Sequence, residues 1–494
     1  MNKLLKISNA LGRNISQLKQ EYWPLLAVYF AYGFSSFLHI AQMFWFKEEL
    51  SLSVVEIVEI TFWINLPWSS KILFSQFIDT YRIAGSKRTA YIVLGAIVMM
   101  VGFVILAAMA NNWWQIRDYL SDYTLLVVSG ICIRFGLVMQ DLVADTLCLE
   151  VVDHSQPSYK QEIAKVQIFA TAARAVGGII GVGIGSYLAE FYSYRYLVML
   201  EFLVPIISII GILVISENDQ QHNKDNQFSI PIFIIAICYV LIIILLGISD
   251  LPLKQETIFM IGVALHLILI YHYTSDMPKK MQHAIFVIIW VVFSFRVMPS
   301  YGEGIKWWKM DVLGFNPQFF GLLAQLTKIF SFIGLWLFMR YHRYTTLARG
   351  LLFISLFYII FELPLIGMSL GLHQWTTVHL GLDAKDLMII DITGDGLTFF
   401  LIKTCYNIAV AEYAPKQNRT TWFAMTASLM SVAFSLGNKV TTKWMNNLYI
   451  IERGMYENAA DLIMVVFLLR ALIPTLAIIV LMKPWRAKAQ ELKP

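Results

Sequence analysis

Three observations predict an all-α polytopic membrane protein built as two six-helix bundles plus two extra helices. First, 58% of the 494 residues are apolar and only 14% are charged, with mean hydropathy +0.64. Soluble domains carry about 45–50% apolar and about 25% charged residues. Second, long apolar runs such as Ser208–Ile215 and Ile230–Gly247 are unbroken rather than alternating. Lipid requires backbone hydrogen bonds to be satisfied internally, and such runs select helices over a closed barrel. Third, landmarks of the first half recur in the second at a nearly constant offset. About 14 spans of about 20 residues would use roughly 280 residues, close to the apolar content. The composition excludes a disordered chain, a nucleic-acid binder and a secreted disulfide scaffold. Cys132, Cys148, Cys238 and Cys405 lie in apolar stretches with neither disulfide nor metal-ligand spacing. No cofactor is expected.

Residues 1–22 carry Lys3, Lys6, Arg13 and Lys19 among spaced Leu and Ile. No cleavable signal follows, so the segment reads as a cytoplasmic tail with interfacial helical character. Hydrophobic windows place spans near 23–46, 54–78, 89–109, 123–150, 163–188 and 194–216. The polar stretch Glu217–Gln227 interrupts the pattern, and two extra spans follow near 229–248 and 257–273. Six more lie near 283–302, 317–340, 346–370, 387–411, 419–446 and 460–482, before a short tail, 483–494. The expected organisation is a first bundle over 23–216, a linker with two spans over 217–282 and a second bundle over 283–482.

Threading from a cytoplasmic N-terminus collects Arg82, Lys87, Arg88, Lys160, Lys224, Lys279, Lys280, Arg340, Arg343, Arg349, Lys416 and Arg419 in inside loops. The C-terminal tail adds Lys483, Arg486, Lys488 and Lys493, whereas the outside loops hold chiefly Arg117, Arg195, Lys254, Lys385 and Arg453. This asymmetry follows the positive-inside rule and puts both termini in the cytoplasm.

The internal repeat rests on three landmarks. Phe46–Ser53 (FKEELSLS) is similar to Trp308–Pro317 (WKMDVLGFNP), each at the outer end of a first span. Lys47 lies 262 residues before Lys309, Arg88 lies 261 before Arg349, and Glu150 lies 262 before Glu412. Paired six-helix repeats are a transporter signature, with the substrate near the bilayer midplane between them.

Charges within the spans sharpen this. Lys71, Arg134, Asp141, Asp145, Arg174, Arg296, Lys328, Glu362, Asp391, Asp395 and Lys403 all lie in apolar windows. At about 2.5–3.5 kcal/mol each, these would cost roughly 30 kcal/mol facing lipid, several times a typical folding stability. They must face water or one another. Arg134, Asp141 and Asp145 share one helix face through spacings of seven and four. The offset maps Asp141 onto Lys403 and Arg134 onto Asp395. These charges are expected to line or gate a central cavity; the plainer alternative is buried pairs that fix helix register. His39 and Gln42, one turn apart on the first span, could reach a ligand or satisfy helix contacts. Trp45, Trp113, Trp114, Trp307 and Trp308 suit an interfacial belt, whereas Trp68 beside Pro67 lies well inside its span.

The run Leu66–Gly95 (LPWSSKILFSQFIDTYRIAGSKRTAYIVLG) resembles the second span and inside loop of the folate–biopterin transporter family, in the major facilitator superfamily. Pro67, Trp68, Lys71, Asp79, Gly85, Lys87 and Arg88 carry the likeness. Gln140–Glu150 resembles that family's acidic fourth span through Asp141, Asp145 and Glu150, and Met298–Gly321 resembles the opening of its second half. Tyr413–Ala424 is similar to its second-half turn, although Ile72 and Arg419 depart from the pattern. The acidic fourth span and the span count also resemble the muropeptide permease and acetyl-CoA transporter branch.

The resemblance implies a secondary active transporter of a small organic solute, an anionic folate- or pterin-like compound, working by alternating access. Arg134, Asp141, Asp145, Arg174, Arg296, Lys328, Asp391, Asp395 and Lys403 are the expected substrate or coupling residues. Lys71, Asp79, Arg88, Glu150 and Glu412 are the expected gate. Protons are the expected coupling ion, carried by Asp141 or Asp145. The expected setting is a monomer in a plasma or bacterial inner membrane. No Gly-x-x-x-x-Gly-Lys-Ser/Thr loop suggests ATP drive, and no His-Glu-x-x-His or Gly-x-Ser-x-Gly motif suggests an enzyme. A non-transporting membrane receptor is the remaining class, separable by its lack of counterflow.

Overall fold

The computed structural model describes residues 22–50, 52–71, 74, 78, 83, 88–150, 159–213, 230–275, 277–341, 347–412 and 419–489. Among them every named element is helical. The first half contains α1 (Trp23–Phe34), α2 (His39–Glu48), α3 (Val54–Ile64), α4 (Thr89–Asn111), α5 (Asp122–Glu150), α6 (Tyr159–Phe191) and α7 (Leu203–Leu213). Then come α8 (Ile230–Ile248) and α9 (Lys254–Thr274). The second half contains α10 (Lys279–Val297), α11 (Gly302–Asp311), α12 (Pro317–Tyr341), α13 (Leu347–Ser369), α14 (Leu372–Leu380) and α15 (Ala384–Glu412). It ends with α16 (Arg419–Val432), α17 (Asn438–Leu448) and α18 (Ala459–Ala489).

Ten helical segments among the described residues are long and apolar enough to cross a membrane. The sequence expectation of fourteen counts four more: α3 with the turn after it, α8, the charge-bearing α15, and α16 with α17. Helix lengths repeat between the halves. α2 and α11 both have 10 residues, α4 and α13 both have 23, and α5 and α15 both have 29. Packing repeats as well: α4 packs on α5 as α13 does on α15, and α7 on α1 as α18 does on α10. The halves meet along α6 with α12, and along α3 with α17; α9 lies against α16.

The first span of each half is broken, and local chemistry explains both breaks. In α1–α2 the Ser35 and Ser36 hydroxyls donate to Tyr32 and Gly33 carbonyls at 2.7 and 2.9 Å, competing with the backbone ladder. The Leu38 amide, freed from the helix, donates instead to the Glu201 carboxylate at 3.0 Å. In α10–α11, Pro299 forces Met298 into extended backbone with ψ 144°. Gly302 restarts the chain at φ +76°. The orphaned groups are again met by side chains: Asn438 donates to the Met298 carbonyl, and the Ser300 amide donates to Thr442 at 2.8 Å.

Glycine lets α1 and α6 touch backbone to backbone. A Cβ at Gly177 would lie 2.2 Å from the Phe30 carbonyl oxygen, and one at Gly185 would lie 1.9 Å from that of Phe37. This 177/181/185 spacing is the small-residue seam by which membrane helices approach closely.

Candidate functional site

Charged side chains collect around the two breaks. His39 begins α2 and is solvent-accessible in the middle of the bundle, within electrostatic range of Lys306, Glu303, Arg134 and Lys328. Lys439 on α17 adds to this group, in range of Lys306, Glu303 and Arg134. Lys306 donates to Glu303 at 2.6 Å, one turn apart on α11. Lys328 on α12 crosses to the first break and donates to the Ser36 hydroxyl at 3.2 Å. Arg134 on α5 has Tyr32 and Glu201 as electrostatic neighbours and no ion-pair partner among the described residues. Four cations and Glu303 therefore converge from α5, α11, α12 and α17.

A second cluster lies in the first half. Asp141 pairs with Lys71 through one carboxylate oxygen and with Arg174, 3.5 Å away, through the other. The Arg174 guanidinium lies over the Tyr32 ring at 3.9 Å, and the Lys71 ammonium lies 4.6 Å from the Trp68 ring. Tyr32 and Trp68 meet edge to face at 6.2 Å. Asp145, one turn beyond Asp141, accepts from the Tyr29 hydroxyl at 2.6 Å. Asp141 is thus enclosed by cations of its own half. The side chain of Lys403, its expected counterpart, lies outside the described residues.

The third cluster is in the second half. Glu362 on α13, Asp391 and Asp395 on α15, Lys309 on α11 and Arg470 on α18 are electrostatic neighbours. Asp391 and Asp395 thus sit with Glu362. Arg296, at the end of α10, lies over the Phe434 ring at 5.2 Å with its Nε unpartnered.

Of the expected gate, Lys71 belongs to the Asp141 cluster. Arg88 is buried and donates to the Ile78 carbonyl at 3.3 Å. Asp79 lies outside the described residues, as do the side chains of Glu150 and Glu412, which end α5 and α15. A different set of contacts latches the end that charge bias assigns to the outside. Lys47 at the end of α2 pairs with Asp311 at the end of α11, and the Tyr456 hydroxyl donates to the same carboxylate. Arg453 donates to the carbonyls of Phe46 and Leu50, the former at 2.8 Å. Burial, aided by the bond to Asp311, pushes the Tyr456 phenol up to about 12, so it remains a donor at physiological pH.

A span ending near residue 302 leaves Glu303 and Lys306 outside the expected site and makes Lys309 only a landmark of the repeat; the helix resumes there and runs to Asp311. Glu201, Lys439 and Arg470 carried a readable signal, being charged residues within apolar windows.

A family model described as the BT1 family matches residues 32–491. A folate-biopterin transporter from Synechocystis sp. is 22% identical over 462 residues, covering 90% of this chain and 78% of that protein. A probable folate-biopterin transporter 4 from Arabidopsis thaliana is 26% identical over 196 residues, 40% of this chain and 38% of that one. A solved POT family transporter in complex with 5-aminolevulinic acid aligns with TM-score 0.69 at 14% identity, over 94% of this chain and 96% of that one. Another, bound to a thioalcohol-conjugated peptide, aligns with TM-score 0.65 at 13% identity over 96% of both chains. The fold is thus the major-facilitator-like one of those transporters, and the chain is an integral multi-pass membrane transporter rather than an enzyme. It belongs to the BT1 family.

Proposed function

We propose that the protein carries a small organic anion of folate or pterin type by alternating access, driven by protons. The observation that carries this reading is the convergence of four cations, Arg134, Lys306, Lys328 and Lys439, with two carboxylates in range, Glu303 and, beside Arg134, Glu201. Such an excess of cations is stable only when an anion or water offsets it, and a solute bearing carboxylates offsets it best. Tyr32, in range of Arg134, meets Trp68 edge to face, and the two rings already hold the cations Arg174 and Lys71, the kind of surface a flat ring also stacks on.

The repeated helix lengths and packing support a division into bundles over 23–216 and 283–482, rocking about this centre, with 217–282 between them. The Lys47–Asp311 latch would then close the outer side. Both termini lie in the cytoplasm on this reading, and a monomer in a plasma or bacterial inner membrane suffices.

Purified protein in liposomes tests it. Labelled folate should exchange against internal folate and should accumulate when the inside is made alkaline. Arg134→Gln removes one charge-assisted contact worth about 1.5–3 kcal/mol, so half-saturation should rise about ten- to hundred-fold. A wild type that neither exchanges folate or pterins nor accumulates them ends the reading.

A further inference from the structure

The cluster in the second half has a charge balance that the solute site does not explain. Glu362 and Asp391 are only 4% and 6% exposed. Both oxygens of Glu362 are engaged: the Tyr301 hydroxyl donates to one at 2.6 Å, and Arg470 approaches the other at 3.4 Å. The Arg470 guanidinium in turn lies over the Tyr358 ring at 4.5 Å. Asp391 is different, because its Oδ1 is buried and accepts no hydrogen bond. Lys309 faces the acids from α11 without forming an ion pair among the described residues. Asp395, one turn along α15 from Asp391, is accessible.

With every group ionised, three carboxylates face two cations, Lys309 and Arg470. The cluster carries one excess negative charge, with Asp395 at its accessible edge, and a buried oxygen of Asp391 lacks a partner. Both defects are removed by a single monovalent cation. Among the described residues no three His, Cys, Asp or Glu side chains converge tightly enough to hold a metal ion. A proton needs no such cage.

We infer that Glu362, Asp391 and Asp395 form the site that takes up the coupling proton, separate from the solute site and joined to it through α11. The inference rests on the reading of the chain as a proton-driven transporter. A proton arriving from water by way of accessible Asp395 binds a carboxylate of the cluster, and no other bond is made or broken. The excess negative charge facing Lys309 is cancelled at that moment. It shares α11 with Lys306 and Glu303, which face the solute, and with Asp311 of the latch. Protonation would thereby alter both the cation field at the centre and the position of the helix that closes the outer end. Asp141, by contrast, has a cation on each of its oxygens and no such deficit.

Counterflow of labelled folate at equal pH and its accumulation under an imposed pH gradient separate these roles in liposomes. In Glu362→Gln and Asp391→Asn the accumulation ratio should fall to one while counterflow persists. Either variant that still concentrates folate under the gradient overturns the inference, as does accumulation by wild type that follows sodium instead of pH. Should both variants fail to insert, Asp395→Asn decides: its accessible side chain can be changed without disturbing packing. The pH midpoint of its accumulation must move, and an unmoved midpoint overturns the assignment. Wild type that exchanges folate but never accumulates it marks failure of the proton-driven reading itself.

Discussion

Replacing Asp311 by alanine should open the latched end. The Asp311 carboxylate holds Lys47 from α2 and the Tyr456 hydroxyl, with side-chain exposures of 38% for Asp311 and 15% for Lys47. A half-exposed ion pair of this kind contributes about 0.5 kcal/mol, and a hydrogen bond to a charged group about 1.5 kcal/mol. Losing both costs the latched state about 2 kcal/mol, which is about a 30-fold shift in the balance between conformations. Ser36, at the break in the first span, reports on this from inside the bundle. A Ser36→Cys probe, in a background with the four native cysteines replaced by serine, should react with an impermeant maleimide applied outside at a rate rising about as the open population does. Adding Lys47→Gln to Asp311→Ala should produce little further change, since both remove one interaction. A modification rate within twofold of the latched protein, at full membrane expression, would refute the reasoning.

Other perturbations follow from the same structure. Asp141→Asn leaves Lys71 and Arg174 without their shared countercharge and should lower detergent stability by about 3 kcal/mol; Lys71→Gln added to it should restore part of the loss, read as a rise in melting temperature. Gly185→Ala drives a methyl group to 1.9 Å from the Phe37 carbonyl oxygen, and overpacking of this kind costs about 1–3 kcal/mol. Thermal unfolding in detergent should show that loss, whereas Gly350→Ala, with nothing within 4 Å of the added atom, should not. Arg453→Gln frees the Phe46 and Leu50 carbonyls and should raise the Ser36→Cys labelling rate even with the Lys47–Asp311 pair intact.

The helical architecture was legible because apolar runs and the placement of charges report directly on the bilayer. The repeat was legible for the same reason: Lys47, Glu150, Lys309 and Glu412 sit at helix ends, where lipid tolerates charge, so they stand out from the apolar runs at a readable spacing. What escaped was anything set by backbone breaks. Residues 299–303 read as the end of a span because Pro, Ser and Gly punctuate it there, yet Asn438 and Thr442 on another helix supply the missing bonds and the chain resumes as α11. Partner choice also escaped. The offset makes Asp141 and Lys403 equivalent in position and says nothing of contacts; Asp141 meets Lys71 and Arg174, which are distant in sequence and unmarked by the repeat.

The two halves are alike in helix lengths but not in what their charges do, and the difference bears on mechanism. Lys47 and Lys309 occupy corresponding places at the ends of α2 and α11, and Glu49 corresponds to Asp311 at the same offset of 262. A symmetric pair of halves would lock their outer ends with two contacts, Lys47 to Asp311 and Lys309 to Glu49. Only the first is present among the described residues. Glu49 accepts from Arg195 at 3.2 Å instead, and Lys309 turns inward towards Asp391 and Glu362. A doubled latch would deepen the closed state by the strength of a second pair and slow every opening accordingly. Losing that one ion pair and its hydrogen bond removes about 2 kcal/mol from the closed state, alongside the separate contacts of Arg453. The lysine released from the second latch is then available to sense charge inside the bundle. The departure from symmetry lets one helix, α11, carry Asp311 of the latch, Lys309 beside the acid cluster, and Lys306 and Glu303 of the cation group together.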